Sequence, residues 1–427
     1  MNVGEAALGV RELAPRQRAE ASEPGATLSA RGWRELARYL GFVRVGVAAV
    51  DAEALALEAQ AKAATRRWVD TGLHSGLGYM TAPRSSPSEL LPGVRSVIVA
   101  LAPTDDVNSK PPDDRSAGRV AAYARGLDYH GVMKVKLWDV AQQLSDDLQR
   151  PLRARVCVDT APLLERFWAA RAGIVFIGKS TMAIAPGVGT NVLLGSILVD
   201  APLSEARPLL AGCGECTLCI DACPTQAFVE PFVLDAGRCI ATLTIENSGE
   251  IPEQLRAAVS DRVFGCDECQ TVCPYNASRK RPGPMSELIA RDERKSAQLH
   301  DWATLSSGDY KRLTKYSALR RAPRAQLQRN AVVALGNTPR PTSADVAVLE
   351  QVLRTNPSPL VRQHAAWALE QLRQADWPGS APDTRTSPSE PSRAAAPDDA
   401  SNSAPPDAGH GSVEASRVGS ARGGTLD

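Results

Sequence analysis

Eight of the chain's nine cysteines fall between Cys213 and Cys273, and their spacing constrains the fold more than any other feature. One group runs Cys213-x2-Cys216-x2-Cys219-x3-Cys223-Pro224; a second runs Cys266-x2-Cys269-x3-Cys273-Pro274, with Cys239 ahead of it. A disulfide framework belongs to short exported chains, whereas this one has 427 residues and opens on 28 that mix Arg and Glu with no apolar signal core. Clustered thiols in a reducing compartment read instead as metal ligands. Two-residue gaps let thiolates on a tight turn reach the corners of a cubane, and the cysteine before proline is directed to the other cluster. On that logic Cys213, Cys216, Cys219 and Cys273 hold one [4Fe–4S] cluster, and Cys223, Cys239, Cys266 and Cys269 hold a second. Paired four-cysteine zinc sites also use short spacings, but zinc does not require the x3-Cys-Pro ending twice. Cys157 stands apart in an apolar strand and reads as a small buried hydrophobe.

Lys and Arg total 49 against 48 Asp and Glu, which excludes a uniformly basic nucleic-acid binder but leaves room for a local patch. No apolar run reaches about 18 residues, so no membrane span is expected and the chain reads as cytoplasmic. Residues 1–28 read as a disordered extension, and residues 29–205 alternate strand and helix signals as an α/β domain does. Within it, Val97–Leu101 predicts a buried strand, and Met133, Leu137, Val140, Ala141, Leu144 and Leu148 predict a helix. Residues 206–285 form a ferredoxin-like module around the cysteines. Residues 286–373 read as a HEAT-like helical repeat, because Asn330–Leu335 resembles His364–Leu369 at a displacement of 34, with a helix capped by Ser343 between them. Residues 374–427 are rich in Ser, Ala, Pro and Gly and predict a disordered tail.

Several residues outside the cysteines are candidates for chemistry. Asp159 ends a strand before Thr160-Ala161-Pro162, which suits a helix N-cap. It equally suits a functional carboxyl at the carboxyl end of an α/β strand. Gly173-x4-Gly178-Lys179-Ser180 has phosphate-loop spacing, but its interior is a hydrophobic strand, so nucleotide triphosphate hydrolysis is not expected. Asp128-x-His130 begins a corrinoid lower-ligand motif that fails where Met133 replaces glycine; a capping Asp128 with a solvent-facing His130 is the alternative. Lys311, Arg312, Lys315, Arg320, Arg321, Arg324, Arg329 and Arg340 share a window that holds no acid. Such a window suits a phosphate backbone, whereas a solvated helix face interleaves both signs.

Tyr-Ala-Arg-Gly-x-Asp-Tyr-His (123–130), Val-Asp-Thr-Ala-Pro (158–162), Ile-Gly-Lys (177–179) and Cys-Asp-x-Cys-Gln-x-Val-Cys-Pro-x-Asn (266–276) together resemble epoxyqueuosine reductases. Arg-Asn-Ala-x-x-Ala-Leu-Gly-Asn (329–337) and Ser-Pro-Leu-Val-Arg-x-His-Ala-Ala-Trp-Ala-Leu (358–369) are similar to that family's helical C-terminal part. The resemblance implies that residues 29–205 bind cobalamin and that the chain reduces the epoxide of epoxyqueuosine at the wobble position of tRNA, the last step of queuosine biosynthesis. It implies a cobalt held without a lower histidine, in agreement with Met133, and places Asp159 on the proton donor. It puts Lys179 and Arg84 at cobalamin contacts and the eight cysteines on the cluster ligands; the basic window, read from its charge, is the expected tRNA surface, with Arg320, Arg321 and Arg324 foremost. A desolvated, protonated Asp159 is the expected acid. An external donor such as a flavodoxin or ferredoxin, a monomeric state and no membrane partner complete the expectation. Ser180 departs from the usual Asn and Ala241-Thr242 from the usual Ser-Tyr. A corrinoid reductive dehalogenase-like enzyme and a non-enzymatic electron-transfer scaffold are the alternatives.

Overall fold

Val97, Val99 and Leu101 pack into one core while Ile98, Ala100 and Ala102 pack into another, so the run Ser96–Pro103 is a strand covered on both faces. The computed structural model describes residues 9–16, 32–104, 117–203, 207, 209–277, 282–295 and 297–374. It contains a five-stranded sheet built from β1 (Val10–Leu13), β2 (Arg44–Ala49), β3 (Ser96–Pro103), β4 (Leu152–Cys157) and β5 (Val192–Val199). The order across it is β1-β4-β5-β3-β2.

Every neighbouring pair in this sheet is antiparallel. The alternation of strands and helices holds, with antiparallel pairing in place of the parallel sheet that such alternation most often builds. Helices cover both faces, so the inner strands read as continuous apolar runs, which is the usual mark of a parallel sheet. Residues 10–13, expected to be disordered, supply the edge strand β1, paired with β4 from Val10↔Arg155 to Leu13↔Leu152.

The helices of this domain are α1 (Trp33–Tyr39), α2 (Ala52–Asp70), α3 (Tyr129–Leu148) and α4 (Glu165–Arg171). Met133, Leu137, Val140, Ala141 and Leu144 form the buried stripe of α3, as their spacing predicts. Across the sheet, α4 buries Trp168, whose indole N–H donates to Glu58 at 2.9 Å. Cys157 lies in that core, 1% exposed.

The cysteine module is fastened to the sheet domain. Arg262–Phe264 pairs in parallel with Arg119–Val120. The buried Asn276 amide donates to Thr190 Oγ1 and accepts the Thr190 N–H, both at 2.9 Å. Beyond it lie α5 (Arg324–Gly336), α6 (Ser343–Thr355) and α7 (Pro359–Gln374). The two similar segments fall on α5 and α7, which pack so closely that a Cβ on Gly336 would stand 2.8 Å from Ala368. Thr342, not Ser343, caps α6: it exchanges hydrogen bonds with Asp345 as a capping box. The expected tail lies outside the described residues, apart from Gln374. Among the described residues no helix is long and apolar enough to cross a membrane.

Candidate active site and cluster centres

The cysteine groups sit on two matched turns, each followed by one helical turn, Leu218–Asp221 and Glu268–Thr271. Burial first, and then the charges of Cys213, Cys216 and Cys273, push the Cys219 thiol up. Burial likewise pushes up Cys239, which feels Cys223, and Cys266, which rises to about 11 and feels Cys239. Cys269 is raised by burial and then by Cys266 and Cys239, with Cys219 its weakest neighbour, so the two sets of four adjoin. Thiols gathered this way resist ionising on their own, and positive iron would reverse that. Backbone donors point at the sulfurs: the Lys179 N–H lies 3.4 Å from Cys213 Sγ and the Ala227 N–H 3.3 Å from Cys223 Sγ. Each thiolate of a cubane binds its own iron; among the described residues no three Cys, His, Asp or Glu side chains close on a single-ion site.

Asp159 follows the end of β4 in a left-handed conformation, φ 56°. Helix α4 begins only at Glu165, with Leu164 at its N-cap, so the capping role considered for Asp159 is corrected. Instead, its N–H donates to both oxygens of the Glu165 carboxylate, at 3.0 and 3.1 Å. Its own carboxylate lies 3.1 Å from His130 Nε2, and His130 Nδ1 lies 2.8 Å from Asp128 Oδ1. Asp128 also caps α3 by accepting the His130 N–H at 3.0 Å. His130 is therefore neither solvent-facing nor a free ligand. It is half-buried between two carboxylates and stacked on Tyr129, ring centroids 4.0 Å apart.

Burial pulls the His130 imidazole down, but the hydrogen bonds and charges of Asp128 and Asp159 outweigh it and carry it up to about 9. Both ring nitrogens face carboxylate oxygens, which fits an imidazolium. The hydrogen bond from His130 holds the Asp159 carboxyl below the ordinary value, against the effect of burial. A raised, protonated Asp159 was the expectation; with an imidazolium beside a side chain 60% exposed, the opposite holds. Burial lifts Glu165 to about 7 instead. The sequence reading missed Glu165 and the His130 bridge. The available signal for Glu165 was an acid in the first turn of the helix that follows a strand-end aspartate.

Around Asp159 lie residues from distant parts of the chain. Tyr79 feels Glu246, Arg321, Asp159 and Arg84. Arg321 pairs with Glu246 through Nε and Nη2 at 3.0 and 2.8 Å and lies over the Tyr79 ring at 5.8 Å. Arg84 donates to Met80 Sδ at 2.9 Å, and Arg166, held down by burial and then by Arg84, donates to the Thr181 carbonyl. Lys179 follows the short strand Phe176–Ile177, which pairs with Ala183–Ile184 and forms no anion nest.

The basic window divides. Arg329, 0% exposed, donates to the carbonyls of Leu243 and Asn247, both at 2.7 Å, so it is corrected from a phosphate contact to a core strut. Arg324 is partly buried and donates to the Leu305 carbonyl at 3.1 Å. Arg312 pairs with Asp309 at 3.3 Å, an acid outside the window. Lys311, Lys315, Arg320 and Arg340 are exposed.

A family model for epoxyqueuosine reductase QueG matches residues 84–160, one for a 4Fe-4S double cluster binding domain matches 212–276, and one for HEAT repeats matches 316–383. The epoxyqueuosine reductase of Xanthomonas campestris is 39% identical over 359 residues, covering 82% of this chain and 98% of the relative. That of Pseudomonas aeruginosa is 37% identical over 358 residues, covering 82% and 96%. Among solved structures, an epoxyqueuosine reductase with an epoxyqueuosine-modified tRNA-Tyr stem loop superposes with TM-score 0.69 at 30% identity, covering 80% of this chain and 89% of that one. The Bacillus subtilis epoxyqueuosine reductase, with the loop of its catalytic aspartate swung out of the active site, gives 0.69 at 29%, with the same shares covered. The Streptococcus thermophilus enzyme gives 0.71 at 26%, covering 82% and 90%. With a 39% identical relative matched over 98% of its length, and with family models on the cysteine and helical-repeat segments, the chain belongs to the epoxyqueuosine reductase family.

Proposed function

We propose that this chain reduces epoxyqueuosine to queuosine at the wobble position of tRNA, with cobalamin as the reducing centre and two [4Fe–4S] clusters as its electron supply. The reaction takes two electrons and two protons: the epoxide oxygen leaves as water and the two ring carbons become an alkene. The observation that carries the reading is the Asp128–His130–Asp159 bridge beside Tyr79, Arg84 and Arg321, in a chain whose thiols form two adjoining sets of four.

Cys213, Cys216, Cys219 and Cys273 would hold one cluster, and Cys223, Cys239, Cys266 and Cys269 the other. Cobalamin carries a phosphodiester and a rim of amides, and Arg84, Arg166 and the Lys179 segment offer cations and backbone groups suited to both. When bound, it supplies a low-potential metal able to reduce the epoxide. Asp159, a carboxylate at rest, takes a proton from the adjacent His130 imidazolium, which is charged below pH about 9, and gives it to the oxygen as charge develops there. Tyr129 stacks under His130 and fixes its ring. Glu165 holds the Asp159 backbone in place. Arg320 with Lys311 and Lys315 engages tRNA phosphates, while Arg321 acts at the rim through Glu246. Electrons come from an external donor such as a flavodoxin or ferredoxin, and the chain works as a monomer in the cytoplasm.

The test is anaerobic turnover of epoxyqueuosine-containing tRNA, with digested nucleosides read by mass spectrometry. The iron- and sulfide-loaded enzyme with cobalamin should remove one oxygen atom from the nucleoside. Asp159→Asn should abolish this while retaining iron, cobalamin binding and tRNA affinity. Near-normal turnover by that variant would refute its role as the donor.

A further inference from the structure

Tyr316, like Phe232, is an exposed aromatic residue with a left-handed backbone. Its side chain is 68% exposed, and its backbone is left-handed, φ 54°, in a bulky residue that gains nothing local from that conformation. Tertiary hydrogen bonds impose it from both sides. The Tyr316 carbonyl accepts the Asp128 N–H at 2.8 Å. On one side the fully buried Arg294 donates to the Lys315 carbonyl at 3.0 Å and also to the Arg125 and Gly126 carbonyls. On the other, Ser317 Oγ donates to the Ala124 carbonyl at 3.2 Å. Residues 124–128, which carry the cap of the His130 helix, thus clamp the Tyr316 backbone and leave its ring outside. Strain held by surrounding structure points to a use for the side chain.

The surroundings name that use. Lys315 Nζ lies 5.2 Å from the ring centroid, and the exposed Arg320 follows four residues later in the chain. A flat aromatic face beside a cation, with no acid in the whole stretch from Lys311 to Arg340, matches a nucleobase flanked by phosphates. Through the Asp128 N–H, the Tyr316 backbone is joined to the bridge that runs from Asp128 through His130 to Asp159.

We propose that Tyr316 is a stacking platform for the anticodon-loop base that neighbours the wobble nucleotide, holding the loop open so that the modified base enters the cleft. The proposal rests on the tRNA reading given above. Removing an aromatic platform costs roughly 5- to 150-fold in affinity. An uncharged ring releases no counterions, so its loss leaves the salt dependence untouched.

The experiment measures binding of an epoxyqueuosine-modified anticodon stem-loop to the cluster-loaded enzyme at several salt concentrations. Tyr316→Phe keeps the face and should bind as wild type. Tyr316→Gly removes the face while relieving the backbone, so it should bind roughly tenfold or more weakly, with an unchanged salt slope and a thermal midpoint no lower than wild type. Wild-type affinity in the Gly variant, or a flattened salt slope, overturns the platform. If the wild-type enzyme itself fails to bind the stem-loop, the tRNA reading falls as well, so the two failures are distinct.

Discussion

Replacing His130 with Gln should make the enzyme's stability lose a specific part of its pH dependence. In the wild type the ring bridges Asp128 at 2.8 Å and Asp159 at 3.1 Å, and its pKa stands at about 9. The unfolded value is about 6.5. A pKa raised by folding contributes stability that is fully present below about pH 6.5 and lost as the pH climbs through about 9. The shift of about 2.5 units corresponds to at most ~3.4 kcal/mol. Asp128 and Asp159 are 41% and 60% exposed, so water screens much of the attraction, and about 1–1.5 kcal/mol is the expected net value. Gln can hydrogen-bond but not titrate. The wild-type advantage in thermal midpoint should therefore be largest near pH 6 and close by about pH 10. In parallel, histidines labelled with carbon-13 give five ring signals, because the chain has five histidines. The signal that vanishes in the variant should titrate near 9 in the wild type. If it titrates near 6.5, or if the stability gap is flat with pH, the bridge does not hold a proton and the reasoning fails.

Glu165→Ala removes both acceptors for the Asp159 N–H, a charge-assisted contact of roughly 1.5–3 kcal/mol. Turnover should drop about 10- to 150-fold at unchanged tRNA affinity, with Glu165→Gln recovering part of the loss in the same assay. The basic window should respond unevenly. Arg320→Glu should weaken tRNA binding and reduce its salt slope by about 1–2. Arg329→Leu should instead lower thermal stability by roughly 3–5 kcal/mol and leave that slope alone, since its donors serve buried carbonyls.

The legible parts of this protein are those in which the information is local. The x2 and x3 cysteine gaps follow from the reach of a tight turn, and the apolar stripe of α3 follows from helical geometry, so both were readable. Met133, where the lower-ligand motif breaks, belongs to that stripe: its side chain is 0% exposed, in the core between α3 and the sheet. Strand direction was not readable, because apolar alternation records burial rather than pairing. The state of Asp159 was not either. A strand-end aspartate caps, donates or sits charged according to what faces it, and its partners His130 and Glu165 come from two different helices. Arg329 misled for the same reason: a cation in a basic run looks exposed until its neighbours are known.

Those distant partners change what the helical repeat is for. Taken by itself, residues 286–373 would be a separable tRNA-binding appendage. Yet Tyr316 accepts from Asp128, Ser317 donates to Ala124, and Arg321 pairs with Glu246 beside Tyr79. Arg329 and Asn330 satisfy carbonyls at Leu243, Thr244 and Val263, next to the cysteine turns. Each of these bonds joins the repeat to a segment that positions either a cluster ligand or the Asp159 bridge. An arrangement of this kind couples substrate contact to the chemistry without a moving part. On the proposed function, the residues that would lie nearest the tRNA share backbone hydrogen bonds with the residues that orient His130. Cutting the chain before the repeat would remove the partners of the Asp128 N–H and the Ala124 carbonyl and uncover Val120, Val263 and Phe264, which share one core with the repeat. The repeat is therefore part of the active site's frame, and a chain ending near residue 285 should fail to hold Asp159 in place even before tRNA is offered to it.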